Sequence, residues 1–208
     1  MQQTEPFGKA GKELADILGK LDLMAVMALN EGRFDDALAC YEQSYSLWVS
    51  LGLENKGAKT LVNIANVLYL LNRYSDALEQ LRKAESVFRS EGKIAELQDV
   101  QRRKAGIYIA DGRLSEARQL LDAFKRKCKT PVEMGEYSLL LYFLLRKENQ
   151  YGKSKKTLDR AVQYFETAHD NSGLSRALQI RVQFYEEAGQ RQNAELDRIR
   201  ITGFNAQE

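Results

Sequence analysis

One motif returns at nearly constant spacing, and it sets what this chain can fold into. Glu31-Gly32-Arg33-Phe34-Asp35-Asp36-Ala37-Leu38 is followed by Leu71-Asn72-Arg73-Tyr74-Ser75-Asp76-Ala77-Leu78 and by Asp111-Gly112-Arg113-Leu114-Ser115-Glu116-Ala117-Arg118. A fourth copy, Glu148-Asn149-Gln150-Tyr151-Gly152-Lys153-Ser154, has serine in place of alanine. A fifth reads Ala188-Gly189-Gln190-Arg191-Gln192-Asn193-Ala194. The small residues stand at 37, 77, 117, 154 and 194, in steps of 40, 40, 37 and 40. A repeat of this length is one supersecondary unit whose apolar face is covered only by its neighbours, so the copies must stack.

Each copy has the same physical content. A Gly or Asn suits the left-handed residue that ends a helix. Apolar positions then recur three and four residues apart, as one helix face requires: Ala37, Tyr41, Tyr45, Trp48, then Ala77, Leu81, Ala84, Phe88, then Ala117, Leu121, Phe124, then Ser154, Leu158, Ala161, Phe165. Another stripe precedes each turn, most clearly Leu61, Ile64, Ala65 and Leu68. The pattern predicts ten helices, at 9–30, 34–51, 54–71, 75–91, 93–110, 114–128, 131–148, 151–169, 172–188 and 191–202, and no strand. Paired, they give repeats at 9–51, 54–91, 93–128, 131–169 and 172–202 in a single domain over 1–208. Gly52, Gly92 and Gly173 read as turns between repeats, Pro131 as the first turn of a helix, and Asp170-Asn171-Ser172 as an N-cap. The chain has only two prolines in 208 residues, as long helices need.

The small residues inside the first helices (Ala25, Ala65, Ala105), the Gly or Asn of the turn and the alanines opening the second helices (Ala37, Ala77, Ala117, Ala194) resemble the tetratricopeptide repeat family. The usual period of that family is about 34 residues. The longer period here resembles its long-helix subgroup, which includes kinesin light chains, cell-polarity adaptors and bacterial peptide-sensing regulators. Six extra residues per repeat add ~9 Å of helix. The resemblance implies an all-α, right-handed superhelical solenoid of about five helix-turn-helix repeats. It also implies a concave groove, lined by the first helix of each pair, that binds a peptide or helical segment of another protein.

Carried onto this sequence, the groove positions are Lys59, Val62, Asn63, Asn66 and Tyr69 in the second repeat. The third gives Asp99, Arg102, Arg103, Gly106 and Ile109, and the fourth Glu136, Leu139, Phe143 and Arg146. Paired amides such as Asn63 and Asn66 can clamp the backbone of an extended peptide whatever its side chains. Arginines such as Arg102 and Arg103 can hold a carboxylate in bidentate fashion, which suits an acidic partner. The chaperone-tail clamp of co-chaperone members requires lysine and asparagine in the first repeat and lysine with arginine in the third. The positions here are Asp22, Val26, Asn63, Asp99 and Arg103, two of them reversed in charge, so that ligand is excluded.

The formal net charge of +2 conceals a division. Residues 101–130 carry nine basic and three acidic side chains, residues 146–160 six and two, and residues 1–100 are net −4. Lys125, Arg126, Lys127 and Lys129 form a basic patch at a helix C-terminus, where the macrodipole favours cations. As a functional patch it would suit an acidic partner or anionic lipid. No aromatic residues interleave with these cations in a nucleic-acid-binding pattern. Cys128 lies among them, where their charge would favour its thiolate; the plainer reading is an incidental cysteine at a helix end. Cys40 and Cys128 have no partner spacing, so no disulfide framework or zinc motif is expected, and a reducing cytoplasm is the default. His169 is the only histidine, and it reads as a helix-terminal residue. No phosphate-binding glycine loop, Gly-x-Ser-x-Gly motif or converging carboxylate pair is present. The longest apolar run, 138–145, is far short of the ~20 residues of a membrane span. The expectation is a protein without catalytic activity, cofactor or metal, acting as a partner-binding adaptor. A peptide-responsive sensor and a self-assembling structural protein are the alternatives.

Overall fold

The computed structural model describes residues 8–205. Among them are ten α-helices: α1 Gly8–Asn30, α2 Phe34–Ser50, α3 Ala58–Leu70, α4 Tyr74–Ser90, α5 Ile94–Ala110, α6 Leu114–Lys125, α7 Pro131–Lys147, α8 Tyr151–Ala168, α9 Asn171–Glu187 and α10 Arg191–Asn205. No strand occurs among the described residues. The chain divides into two compact units, residues 1–100 and residues 101–208.

The five motif copies form five versions of one turn. The second residue after each first helix is left-handed: Gly32 (φ 73), Asn72 (φ 58), Gly112 (φ 79), Asn149 (φ 60) and Gly189 (φ 70). In each, the next amide reaches back to the helix, Arg33 N to Ala28 O, Arg73 N to Leu68 O, Arg113 N to Tyr108 O, Gln150 N to Leu145 O and Gln190 N to Tyr185 O. This is the Schellman arrangement, which satisfies carbonyls that a helix end leaves open. The two asparagines take the strained conformation with help, since the Tyr74 and Tyr151 hydroxyls donate to Asn72 Oδ1 and Asn149 Oδ1 at 2.7 and 3.1 Å. Three second helices then open with an arginine–acid pair across the N-terminus. Arg33 bonds Asp36, Arg73 bonds Asp76 and Arg113 bonds Glu116. The Glu116 carboxyl falls to about 2, held by the Ser115 hydroxyl, its own backbone amide and Arg113.

In unit 1, α1 packs on α2, α2 on α3 and α3 on α4. The small residues Ala25, Ala37, Ala65 and Ala77 are fully buried where helices cross. In unit 2, Leu139, Tyr142, Leu158, Val162, Phe165, Leu174 and Leu178 form one core among α7, α8 and α9. Ala105, Ile109, Ala117, Leu121, Phe124, Tyr137 and Leu144 form another. The Phe165 ring lies so close to Gly135 that a Cβ there would stand 2.7 Å from it. At the end of unit 2, Arg181 grips Asp197 of α10 through Nε and Nη2, both at 2.7 Å, so the last helix is fixed by an almost fully buried ion pair.

Three expectations need correction. The third helix begins at Ala58, not 54, because Lys56, Gly57 and Ala58 each bond the carbonyl three residues back and close tight turns over 53–58. The sixth ends at Lys125, before the cations that follow. There the amides of Lys127 and Cys128 fold back on Phe124 O, and a capping box formed by Thr130 and Glu133 starts α7. Gly173 is not a turn residue. It lies inside α9, buried against Phe165, and His169 (φ 53) makes the left-handed turn. Pro131 and Asp170 take the expected places. Pro131 is the first residue of α7, and the Asp170 carboxylate accepts from Gly173 N at 3.0 Å.

Candidate functional site

Helical period and repeat register together place chemistry on the first helices of unit 2. The spacing Arg102, Glu136, Arg176 brings three consecutive first helices, α5, α7 and α9, to one carboxylate. Arg102 Nη1 donates to Glu136 Oε2 at 3.1 Å, and Arg176 Nη2 donates to Oε1. Glu136 is about four-fifths buried while both guanidiniums keep contact with water, Arg176 more than Arg102. One turn further along, Gly106 faces Leu140, with room for a Cβ at 3.7 Å. Beyond that lies an aromatic row: Phe143 is 42% exposed and set edge-on to Tyr142 at 5.1 Å. The Arg146 guanidinium lies 5.0 Å from the Tyr151 ring and 5.8 Å from that of Phe184, and it bonds Glu187 at 2.5 Å. The face thus offers oriented guanidiniums beside exposed aromatic surface, a combination suited to a carboxylate flanked by an apolar side chain.

Unit 1 has its own face on α3. Lys59 is exposed, and Asn63 and Asn66 are half-buried along one side. Tyr69 is 40% exposed, with its ring 6.0 Å from Tyr74. Burial, aided by Tyr74, raises the Tyr69 phenol above its ordinary value, so it stays a neutral donor and acceptor.

Three of the expected groove residues do not face outward. Ile109 is 4% exposed and lies in the core with Ala105, Ala117 and Leu121. Val62 is 8% exposed, because α3 packs against both α2 and α4 and draws the side chain into the core. Leu139 is 5% exposed and belongs to the core among α7, α8 and α9. Arg103 is half-buried. Glu136 stands among the expected groove positions. Its partner Arg176, and Glu187 beside Arg146, were not expected at all. The signal that finds them is the period: Glu136 and Arg176 are 40 apart, Arg146 and Glu187 41.

The basic patch is exposed at Lys125, Arg126, Lys127 and Lys129, but part of it is engaged locally. Lys125 lies 5.8 Å from the Tyr137 ring and Lys127 Nζ reaches Gln101 Oε1 at 3.3 Å, whereas Lys129 bonds Glu133 only through its backbone amide, at 2.6 Å. Cys128 is the opposite of an activated thiol. Burial and the Glu133 carboxylate push it up to about 11, and its Sγ lies 3.4 Å from Phe124 O and 3.5 Å from Glu133 O. The surrounding cations point to solvent, whereas the sulfur turns inward between two carbonyls. Among the described residues no group of His, Cys, Asp and Glu is arranged to hold a metal ion, and no helix is long and apolar enough to cross a membrane.

Residues 14–90 match the family model described as tetratricopeptide repeat. No curated protein matches the sequence. Among solved structures, a Rap protein complexed with competence and sporulation factor superposes with a TM-score of 0.74 at 13% identity, over 97% of this chain and 60% of that one. The apo quorum sensor NprR from B. thuringiensis gives 0.67 at 17%, over 96% and 60%. A Podosopora anserina putative kinesin light chain with nearly identical repeats gives 0.59 at 15%, over 91% and 95%. At these identities the likeness is one of fold.

Proposed function

We propose that this chain, a tetratricopeptide repeat protein, is a non-catalytic binding module that takes a segment of a partner protein on the exposed faces of its first helices. The unit 2 face of α5, α7 and α9 is its anchor. The observation that carries this reading is the sharing of Glu136 by Arg102 and Arg176. Two guanidiniums from the repeats on either side are already aimed at one carboxylate position, next to the half-exposed Phe143. A partner's Asp or Glu can take that position while Glu136 turns to solvent, and a neighbouring apolar side chain can cover Phe143. The orientation of the arginines is already fixed, so binding loses little further side-chain entropy.

In unit 1, Lys59, Asn63, Asn66 and Tyr69 offer an amide face suited to polypeptide backbone. An adaptor role follows from such surfaces. A second reading, a peptide-responsive sensor, is favoured by the likeness to the Rap and NprR structures. A large change of scattering radius on ligand binding would select the sensor over the adaptor.

The test begins with peptides selected from a random display library on the intact chain. Their affinities are then measured for wild type and for the Arg102→Ala/Arg176→Ala variant. The enriched sequences should pair an acidic residue with an aliphatic or aromatic one. The double variant should bind them at least about tenfold more weakly, as removal of charged hydrogen-bond donors does, with its helical content retained. Equal affinity for both proteins would sink this assignment.

A further inference from the structure

The second helices occupy equivalent places in the five repeats, so their outer faces can be compared position by position. Two N-terminal positions carry Asp36 and Ala39 in α2, Asp76 and Glu79 in α4, Glu116 and Gln119 in α6, and Asn193 and Leu196 in α10. In α8 the same positions are Lys153 and Lys156, and the next turn adds Arg160 where the others have Gln43, Lys83, Ala123 and Arg200. The first three repeats place an acid in the first turn and tie it to the arginine before the helix. The fourth has no acid in its first turn, and that arginine is Gln150.

This reversal opposes the intrinsic electrostatics of the helix. The N-terminus carries roughly half a positive charge, so an acid there is stabilising and a lysine is not. Lys153, Lys156 and Arg160 are all exposed, lie on one stripe of the helix, and their side chains meet no carboxylate among the described residues. The one nearby acid of α8, Asp159, is taken by Lys155 and Arg181. Lys153 is therefore held in the first turn, where the helix disfavours a cation, and Lys156 and Arg160 continue its stripe without a carboxylate partner among the described residues.

We propose that the outer face of α8 is a docking site for an acidic helical segment of a partner protein, engaged by Lys153, Lys156 and Arg160. The charges span ~10 Å along the helix, which matches carboxylates three, four and seven residues apart on a facing helix. The only large hydrophobic exposed on α8 is Tyr151, so little on this face can insert into a bilayer. Three cations also make few phosphate contacts for a nucleic acid. This surface is separate from the first-helix face and does not depend on it.

The probes are a labelled helical peptide with glutamates in that spacing, its glutamine counterpart, phosphatidylserine vesicles and duplex DNA. They are titrated against the intact chain and against the Lys153→Gln/Lys156→Gln/Arg160→Gln variant. The acidic peptide should bind saturably and weaken between ~50 and ~150 mM salt, because exposed charges are screened over that range. The triple variant should lose at least about tenfold in affinity. Single Lys153→Glu should also lose binding yet raise Tm, an effect a merely structural lysine would not couple to binding. The Arg102→Ala/Arg176→Ala variant should keep the peptide. The proposal is overturned if the triple variant binds equally or the glutamine peptide binds as well. Loss of the acidic peptide by the Arg102/Arg176 variant overturns it too, as do vesicles or DNA binding through these cations while the peptide does not.

Discussion

The first helices of the two units present the same geometry with different chemistry. In unit 1, α3 shows amides and a phenol at Asn63, Asn66 and Tyr69. In unit 2, the face is crossed by ion pairs, Arg102–Glu136–Arg176 and Arg146–Glu187. Neutral amides read backbone and adapt to many side chains. Guanidiniums paired to internal carboxylates read charge, and they select against partners that cannot replace the pairing. On the proposed reading, one repeat fold gives one region tolerance and another discrimination, with the difference held in few positions per helix.

The comparison breaks most severely in the core beneath the charged face. Phe165→Ala removes a fully buried ring from between Gly135 and Gly173. It should cost about 3–5 kcal/mol, with amide exchange accelerating first in α7–α9 and last in α3. Gly173→Ala adds a Cβ that would overlap both the Phe165 ring and the Asp170 carboxylate capping α9. A loss of about 1–3 kcal/mol is expected, seen as a lower urea midpoint with unchanged slope. Glu136→Gln sharpens the comparison by making the unit 2 face neutral at its centre. Stability should fall by no more than about 1 kcal/mol, since the pair is partly solvated, and affinity for acidic selected peptides should rise.

The smallest effect is in pH. The amides of Lys129 and Thr130 hold the Glu133 carboxyl below its usual value. The unfolded chain therefore binds this proton more readily than the folded one. The contribution is complete above the unfolded pKa of about 4.3, and it is lost as pH falls through the lower folded value. Glu133→Gln should flatten this part of the acid unfolding curve, whereas Asp76→Asn in unit 1 should not touch the α7 cap. Equal curves for Glu133→Gln and wild type would remove the capping box as a source of acid sensitivity.

The helices were legible because period and turn chemistry agree at Gly32, Asn72, Gly112, Asn149 and Gly189, each of which takes the left-handed conformation its residue type favours. The end of the eighth helix at His169 was legible too, but its left-handed conformation was not, since a histidine in that conformation is uncommon and Gly173 nearby gave a competing signal. The site was less legible than the fold. Whether Val62 or Asn63 faces outward turns on one helical step of 100°, which neighbours in space decide. The state of the Cys128 thiol is not legible, because proximity in sequence to four cations says nothing of where the sulfur turns. The Arg–Glu–Arg sharing needed two separations, 34 and 40, that become adjacent only once the repeats are stacked.

The chain has one tryptophan and one histidine. Trp48 stands in unit 1, its Cβ facing the backbone of Gly57 at the start of α3, and His169 stands in unit 2 at the turn into α9. Each unit therefore has its own built-in optical or magnetic label. Indole emission follows residues 1–100, and a lone imidazole resonance follows residues 101–208. The order in which the units melt, or respond to a ligand, can be read on the unmodified chain without attaching a probe.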